Sequence, residues 1–454
     1  MCHSLRHDGV DYSEYVSQLS YLLFFKMLSE KSSVAGGEWN PWKSIIGAVG
    51  ENSLVELRYA FKHASELTSP IGDIFKGAEC RFSSSSTARR VVEAVDELDW
   101  STGEVDVKAL VYESLLARAA NEGKRGAGQY FTPRPLVRAI VRCVKPGVER
   151  TTSAPYIVLD PSCGTGGFLT EAWSYCIERY RTARLSEPLE GLQFAGTELV
   201  DRVRTLTLMN MMLHEVPAEI NLGDALQTRH YADGSVDVVL GNPPFGSRGG
   251  AGSGAALDVE IRTSSKQLNF LQLAVRQLKD GGRAAMILPD SVITSRTGRL
   301  VLYSIMGTAD VHTILINPEG TFSPYAPGIN TVVLFLNKGI ATRKVWVYDQ
   351  RSQIDRVNTK GNPLTASLFD EFVSLYGEDP LQPHGRRRDD AQSERWKVLD
   401  SNDLVTGSFR QLPLRRSQVS NGAGGTPAVE TLASLIDGLR DLEDRLGAVL
   451  RQFS

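Results

Sequence analysis

The chain has 454 residues, a formal net charge of −3 and 42% hydrophobic residues. These values are ordinary for globular protein of about three domains, and they exclude collagen-like, mucin-like and wholly disordered classes. Because no apolar run reaches about 18 residues and the N-terminus is polar, we expect neither a membrane span nor a secretory signal. The five cysteines form no Cys-x-x-Cys pair, so we expect no metal site, no disulfide framework and a cytoplasmic protein.

Residues 1–122 are predicted to form an N-terminal, all-helical domain. Apolar side chains recur there at spacings of three and four, as on one face of a helix, within 16–27, 54–61 and 91–98. Little of the alternation typical of strands is present in this part of the chain.

From residue 123 to 345, short apolar runs alternate with helical stretches, which predicts a parallel, doubly wound α/β sheet. The predicted strands are 156–159, 193–197, 219–222, 236–240, 284–288, 311–316 and 331–336. Polar residues follow the first four strands, namely Asp160, Glu198, Asp224 and Asn242. Since ligands of such sheets bind beyond the carboxyl ends of the strands, we expect these residues to line one cleft.

The remaining segments are predicted to be a C-terminal extension of the α/β region at 346–416, a linker at 417–427 and a coiled-coil-like helix at 428–454. Leucines alternate spacings of three and four in the last segment, so its helix either docks on its own domain or binds a partner chain. The glycine-rich residues 246–266 are expected to be mobile.

The segment Asp160-Pro161-Ser162-Cys163-Gly164-Thr165-Gly166-Gly167 joins a predicted strand to a predicted helix. Glycines allow a ligand to approach the backbone closely, and a helix N-terminus favours a negative group. The spacing matches neither the dinucleotide fingerprint Gly-x-Gly-x-x-Gly nor a Walker loop. A tight structural turn is the plain alternative, but the pattern Asp-Pro-x-Cys-Gly-Thr-Gly resembles the S-adenosylmethionine loop of class I methyltransferases.

Two acidic residues follow the next strands. A carboxylate at Glu198 can accept two hydrogen bonds from a ribose diol, although many such acids are merely solvated. Asp224 can accept a hydrogen bond from the exocyclic amine of an adenine, or it can simply close a turn.

The segment Asn242-Pro243-Pro244-Phe245 follows a strand directly. The two prolines stiffen the turn, so the Asn242 side-chain oxygen and the Pro243 carbonyl can both accept from one planar amino group. Phe245 offers a ring face on which a base can stack. Upstream, Gln129-Tyr130-Phe131-Thr132-Pro133-Arg134 precedes an apolar helix, for which Thr132 is a plausible N-cap.

In this order, these motifs resemble those of the DNA methyltransferases that modify adenine N6, and more narrowly those of the modification (M) subunits of type I restriction-modification systems. The resemblance covers nearly the whole chain. It implies the class I S-adenosylmethionine-dependent methyltransferase fold, with an N-terminal all-helical domain and a C-terminal helical tail. It also implies a catalytic set of Asn242, Pro243, Pro244 and Phe245, and a cofactor set of Gln129, Tyr130, Phe131, Thr132, Pro133, Arg134, Asp160, Gly164, Thr165, Gly166, Gly167, Glu198 and Asp224.

The resemblance further implies methylation of a flipped-out adenine in double-stranded DNA, with S-adenosylmethionine as cofactor, which protects host DNA from the cognate nuclease. The implied partners are a specificity (S) subunit, shared by two modification subunits, and a restriction (R) subunit. Alternatives are methylation of RNA amino groups or protein glutamine amides, which also use an Asn-Pro-Pro-aromatic turn, and an assembly protein with an inactive site.

Overall fold

A nine-stranded sheet forms the centre of the protein in a computed structural model that describes residues 12–30, 40–97, 132–147, 155–183, 191–245, 259–323, 328–358, 361–377 and 395–406. The strands are β1 Tyr156–Asp160, β2 Leu192–Glu198, β3 Ala218–Leu222, β4 Val236–Gly241, β5 Leu278–Pro289, β6 Ala309–Ile316, β7 Thr331–Lys338, β8 Lys344–Asp349 and β9 Trp396–Asp400. Their spatial order is β3-β2-β1-β4-β5-β7-β6-β8-β9.

The order of the strands reverses between β1 and β4. β1 pairs in parallel with both neighbours, so that Leu159 lies beside Ala195 of β2 and beside Val239 of β4. The chain runs outward from β1 to β3 and then returns to the other side of β1 with β4. In a doubly wound sheet this reversal opens a crevice at the carboxyl ends of the strands, which is the usual ligand site.

All seven predicted strands are present, with ends that differ mostly by one or two residues. The prediction of a parallel sheet is wrong for β7, which runs antiparallel between β5 and β6. This strand is buried along nearly all of its length. A continuous apolar run is the pattern of any fully buried strand, so it does not show whether the strand is parallel or antiparallel to its neighbours.

Two further strands were not predicted and lie at one edge of the sheet. β8 pairs in parallel with β6, and β9 pairs antiparallel with β8. The side chains of β9 are partly or fully exposed, so this strand lacks the apolar run by which the others were recognised.

Helices both precede the sheet and alternate with its strands. The helices are α1 Tyr12–Glu30, α2 Pro41–Gly47, α3 Asn52–Glu66, α4 Ile71–Phe75, α5 Ser85–Asp96, α6 Arg134–Val144, α7 Gly167–Ala183, α8 Asp201–Leu213, α9 Lys266–Gln277, α10 Ser291–Thr294, α11 Arg296–Met306, α12 Asp370–Tyr376 and α13 Ser401–Thr406. Short 3₁₀ turns occupy Gln350–Ser352 and Ala366–Phe369. α7 packs on β1 and β2, and α8 packs on β2 and β3.

The helical prediction for the N-terminal segment is confirmed where the structure describes it, in α1 to α5. Aromatic rings fill the space between these helices: Phe25 and Phe75 stack at 4.7 Å, and Phe61 meets Phe75 edge-on at 5.5 Å. α1 and α4 also contact α8, so the apolar core continues from this segment to the sheet. The boundary of a separate domain at residue 122 stays a prediction.

Several predicted features lie outside the described residues. They are Gln129 to Phe131, residues 246–258 of the glycine-rich segment, the linker at 417–427 and the helix at 428–454. Within the described ranges, no helix combines the length and the apolar character that crossing a bilayer requires.

Candidate active site

Glu198, the last residue of β2, ties together the loops that surround the crevice. Its two carboxylate oxygens accept hydrogen bonds from the backbone N–H of Gly164, at 3.1 Å, and of Val200, at 2.9 Å. Its backbone carbonyl accepts from the N–H of Gly223, at 2.9 Å. The side chain is only 5% exposed. Glu198 therefore fixes the loop after β1 against the ends of β2 and β3, as the predicted cleft requires.

The loop after β1 depends on two glycines with left-handed backbone. Gly164 has φ +52° and Gly166 has φ +83°, which other residues adopt only with strain. A Cβ at Gly166 would collide with the side chain of Met211 and lie 3.1 Å from Cγ2 of Thr207, both on α8. A Cβ at Gly164 would meet nothing within 4 Å. Gly166 thus permits close packing of α8, whereas Gly164 lies beside open space.

α8 also holds this loop through hydrogen bonds. The hydroxyl of Thr207 donates to the carbonyl of Gly164, and the side-chain amide of Asn210 donates to the carbonyl of Thr165 at 2.9 Å. Both side chains are fully buried. Sequence reasoning missed these two residues, because a single polar residue inside an apolar helix carries no motif.

Asp160 lies at the end of β1 and is almost entirely buried. One of its oxygens accepts from the N–H of Ser162 at 3.0 Å. Burial, reinforced by the negative charge of Glu198 and opposed by the Ser162 hydrogen bond, raises the pKa of Asp160 to about 7. This carboxyl group therefore changes its charge near neutral pH and not in the acid range usual for aspartate.

Cys163 packs beneath the loop and does not face the crevice as a nucleophile. Its sulfur lies where a Cβ on Gly196 of β2 would come within 2.9 Å. Burial, with the nearby charges of Asp160 and Glu198, raises the pKa of this thiol well above its ordinary value. A thiol held protonated is a poor nucleophile, which supports the packing role expected from the sequence.

Asp224 closes the turn that follows β3. Its two carboxylate oxygens accept from the N–H of Leu226 and from the side-chain amide of Gln227, both at 2.9 Å. The predicted turn function is therefore present. Each oxygen retains a further lone pair, so the predicted contact with an adenine amine stays a prediction.

Asn242 immediately follows β4 and offers an unused acceptor. Its side-chain N–H donates to the hydroxyl of Thr132 at 3.0 Å. Its side-chain oxygen is buried and has no hydrogen-bond partner among the described residues. An unsatisfied buried acceptor costs about 1–3 kcal/mol, and a ligand that donates a hydrogen bond to it would remove this cost.

The prediction that Thr132 is the N-cap of the next helix is wrong. α6 begins at Arg134, its N-cap is Pro133, and no side chain caps it. Two prolines at the helix start tolerate the missing cap, because proline has no N–H to satisfy. Arg134 instead donates to the carbonyl of Gly167 and to the hydroxyl of Thr170, both at 2.9 Å. These bonds place Thr132 beside the crevice.

Phe245 closes the Asn-Pro-Pro-Phe turn and is only 7% exposed. Its ring meets Phe322 edge-on, with ring centres 5.4 Å apart and planes inclined by 83°. The side-chain amide of Gln267, at the start of α9, donates to the carbonyl of Pro244. Sequence reasoning assigned no role to Phe322 or Gln267. No group of three or more His, Cys, Asp or Glu side chains in the described part of the chain is placed to hold a metal ion.

Comparisons with known proteins agree with this geometry. The model of the N-6 DNA Methylase family matches residues 104–403. The chain is 34% identical to the methylase subunit of the type I restriction enzyme StySPI of Salmonella potsdam, over 91% of this chain and 82% of that protein. It is also 34% identical to the EcoKI methylase subunit of Escherichia coli strain K12, over 89% of this chain and 80% of that protein.

Solved structures lead to the same family. A chain from a study of complex assembly and conformational transition of a type I R-M system superposes with a TM-score of 0.69 at 26% identity, covering 99% of this chain and 95% of that one. The EcoKI M protein superposes with a TM-score of 0.51 at 27% identity, covering 99% and 94%. With its Asn-Pro-Pro-Phe turn and its glycine loop at one crevice of a class I methyltransferase sheet, the chain belongs to the N-6 DNA methylase family, among the methylase subunits of type I restriction enzymes.

Proposed function

We propose that the protein transfers a methyl group from S-adenosylmethionine to N6 of an adenine in double-stranded DNA. The observation that carries this proposal is the buried, unsatisfied side-chain oxygen of Asn242. Its amide nitrogen is occupied by Thr132, so the oxygen is the end that remains for a donor. An exocyclic amino group is such a donor.

The residues around the glycine loop suit the cofactor. The open space beside Gly164 leaves room for a ligand to approach the backbone, and Glu198 and Asp224 supply carboxylates for a ribose diol and an adenine amine. When bound, S-adenosylmethionine supplies an electrophilic methyl group on a sulfonium sulfur. Gln129 to Arg134, Asp160 and Thr165 to Gly167 complete the proposed binding set.

The turn after β4 would prepare the amino group for reaction. The lone pair of adenine N6 is delocalised into the ring, so the free amine is a weak nucleophile. Two acceptors, the Asn242 side-chain oxygen and the Pro243 carbonyl, draw the N–H bonds out of the ring plane and localise the lone pair. Phe245 supports the base by stacking.

An adenine can enter this crevice only after leaving the DNA stack, which costs a few kcal/mol. Because Phe245 is only 7% exposed, a base can stack on its ring only after the groups that cover the ring have moved. Favourable contacts between the complex and DNA must offset these costs. The net charge of −3 is consistent with a separate specificity subunit that grips the DNA.

We further propose that two copies of the chain assemble with one specificity subunit and with a restriction subunit, in the cytoplasm, and that methylation protects host DNA from the nuclease. The relatives are methylase subunits of type I restriction enzymes, which supports assembly of the chain with further subunits. The seam of apolar side chains within 428–454 is the segment that we assign to contact with the specificity subunit.

The proposal is tested with the full chain co-expressed with its neighbouring gene products. Incubation with labelled S-adenosylmethionine should place label in DNA, and mass spectrometry of the nucleosides should identify N6-methyladenine. Asn242→Ala should abolish or severely reduce this signal, whereas Asn358→Ala, which removes a side chain that accepts from the N–H groups of Gly361 and Asn362, should not. Label found in RNA or in protein glutamine, or near-normal turnover by a folded Asn242→Ala protein, would contradict it.

A further inference from the structure

The geometry points to Gln267 as a positioning residue that sets the rotation of the Pro244–Phe245 peptide, and thereby the place of the Phe245 ring against the target base. This inference rests on the proposed function. Its starting observation is the hydrogen bond from the Gln267 side-chain amide to the Pro244 carbonyl. That bond joins the start of α9 to the last part of the catalytic turn.

Backbone torsions show why this bond matters. The proline rings fix φ at Pro243 and Pro244. A residue that precedes proline is confined to extended ψ, so ψ is restricted at Asn242 and at Pro243 as well. Beyond Asn242, the first torsion of the turn that no ring restricts is ψ of Pro244. A hydrogen bond to the carbonyl of Pro244 restrains that torsion directly, because rotation about ψ swings the carbonyl oxygen.

The Gln267 amide is itself held with its nitrogen toward the turn. The hydroxyl of Ser265 donates to the Gln267 side-chain oxygen at 3.1 Å. The same hydroxyl accepts from the N–H of Leu268 as the N-cap of α9. With its oxygen occupied, Gln267 presents its N–H to the Pro244 carbonyl. The side chain is 7% exposed, so water competes little for either bond.

The position of the Phe245 ring follows from this arrangement. Its backbone begins at the peptide that Gln267 holds, and its ring rests edge-on against Phe322. Without the Gln267 bond the Pro244 carbonyl loses this restraint, and the ring can shift with ψ of Pro244. A displacement of about 1 Å at a reacting group can cost up to about a hundredfold in rate.

The test compares two buried glutamines of the same helix. Gln272 is 8% exposed, and its side chain exchanges two hydrogen bonds with the backbone of Ile261, at 3.0 and 2.9 Å. Gln267→Met and Gln272→Met remove similar polar groups from α9. Within the described ranges, Gln267 is the one of the two that bonds the catalytic turn. In the complex with the specificity subunit, we expect Gln267→Met to lower kcat about tenfold or more, with cofactor affinity unchanged. Gln272→Met should retain kcat.

A charge variant provides a signature that a purely structural role would not give. The carboxyl introduced by Gln267→Glu can donate to the Pro244 carbonyl only when protonated. Its activity relative to wild type should therefore rise as pH falls, by about fivefold or more across the titration, because burial raises the pKa of such a group. A pH-independent activity ratio, or equal kcat losses in the two methionine variants, would overturn the assignment.

A measurement without substrate separates this inference from the proposed function. With 4-fluorophenylalanine at position 245, the ¹⁹F resonance of the free protein should shift or broaden in Gln267→Met and stay unchanged in Gln272→Met. If wild-type protein does not methylate DNA adenine, the proposed function fails while the fluorine spectra still decide the positioning role. If the spectra of wild type and Gln267→Met coincide, the positioning role fails even in an active enzyme.

Discussion

Asn242 and Thr132 lie 110 positions apart in the chain and share a hydrogen bond of 3.0 Å, in which the Asn242 amide donates. A side-chain amide has one donor end and one acceptor end, and rotation by 180° exchanges them. By holding the donor end, the Thr132 hydroxyl leaves the acceptor end buried and without a partner among the described residues. This orientation is the one that an incoming amino group needs.

Thr132→Val should therefore lower kcat about tenfold or more, because the Asn242 amide loses its restraint. Thr132→Ser keeps the hydroxyl and should remain within about twofold of wild type. Single-turnover kinetics at saturating S-adenosylmethionine separates the effect on the reaction of the target base from any effect on cofactor binding. Calorimetry measures the affinity for the cofactor separately, because Thr132 also belongs to the proposed cofactor-binding set. A Thr132→Val enzyme with normal kcat would contradict the orienting role.

Gly164→Ala and Gly166→Ala should impair different properties, namely cofactor affinity in the first variant and stability in the second. At Gly166 the added methyl collides with Met211 in a strained backbone, so we expect a loss of stability of roughly 2–5 kcal/mol. At Gly164 the methyl enters open space, so the strain costs only about 1–2 kcal/mol. Cofactor affinity should fall instead.

Thermal midpoints and calorimetry on both variants decide between these outcomes. Adding Met211→Ala to Gly166→Ala removes the collision and should recover part of the lost stability. A Gly164→Ala protein with unchanged cofactor affinity would show that the open space beside Gly164 is not used by the ligand.

Asp160 should make stability depend on pH near neutrality. Its pKa in the folded protein is about 7, against 3.8 for the unperturbed group, so the folded state binds more protons between these values. The contribution of Asp160 to the free energy of unfolding therefore falls as pH rises from about 4 to 7, and it is constant above pH 7. Asparagine at position 160 cannot ionise. The free energy of unfolding of the Asp160→Asn protein should therefore rise relative to that of wild type by roughly 2–3 kcal/mol between pH 5 and pH 8.

Thermal midpoints of the two proteins across this pH range test the expectation for Asp160. The asparagine oxygen can still accept from the N–H of Ser162, so that hydrogen bond is matched in the comparison. A constant gap between the two melting curves would mean that Asp160 ionises in the usual acid range.

Glu198→Gln should weaken the loop after β1 although the shape is conserved. The carboxylate accepts from two backbone N–H groups, those of Gly164 and Val200. An amide has only one oxygen, so one of the two N–H groups would face another donor, at a cost of about 1–3 kcal/mol. We expect a lower thermal midpoint and weaker binding of S-adenosylmethionine. Glu219→Gln, on the neighbouring strand β3, is the control and should change neither.

Removal of residues 428–454 should separate assembly from cofactor binding. Each apolar side chain of the seam would contribute about 1.5–3 kcal/mol if buried against a partner. The seam consists of Leu432, Leu435, Leu439, Leu442, Leu446, Val449 and Phe453. We expect the truncated chain to bind S-adenosylmethionine normally, to lose the specificity subunit on gel filtration and therefore to lose DNA methylation. Full co-elution of the truncated chain would show that the helix serves only its own chain.

The sequence predicted the ends of β1, β2, β3 and β4 well, because turn chemistry and buried apolar runs are local properties. The contact between Asn242 and Thr132 could not be predicted from local patterns, because the two residues are distant in the chain and come together only when the sheet folds. The same holds for Gln267, whose amide is one of many in the chain. Gly166 illustrates a further limit: its place in the loop was predicted, but its close packing against Met211 was not.

The two halves of the crevice depend on segments of very different length. The bond between Gly164 and Glu198 spans 34 positions, whereas the bond between Thr132 and Asn242 spans 110. A longer loop costs more entropy to close, and its second end leaves the ribosome later. During synthesis the nascent chain can therefore pair β1 with β2 before Asn242 has left the ribosome. A chain stalled between these points would carry the first half of the crevice and no acceptor for an amino group.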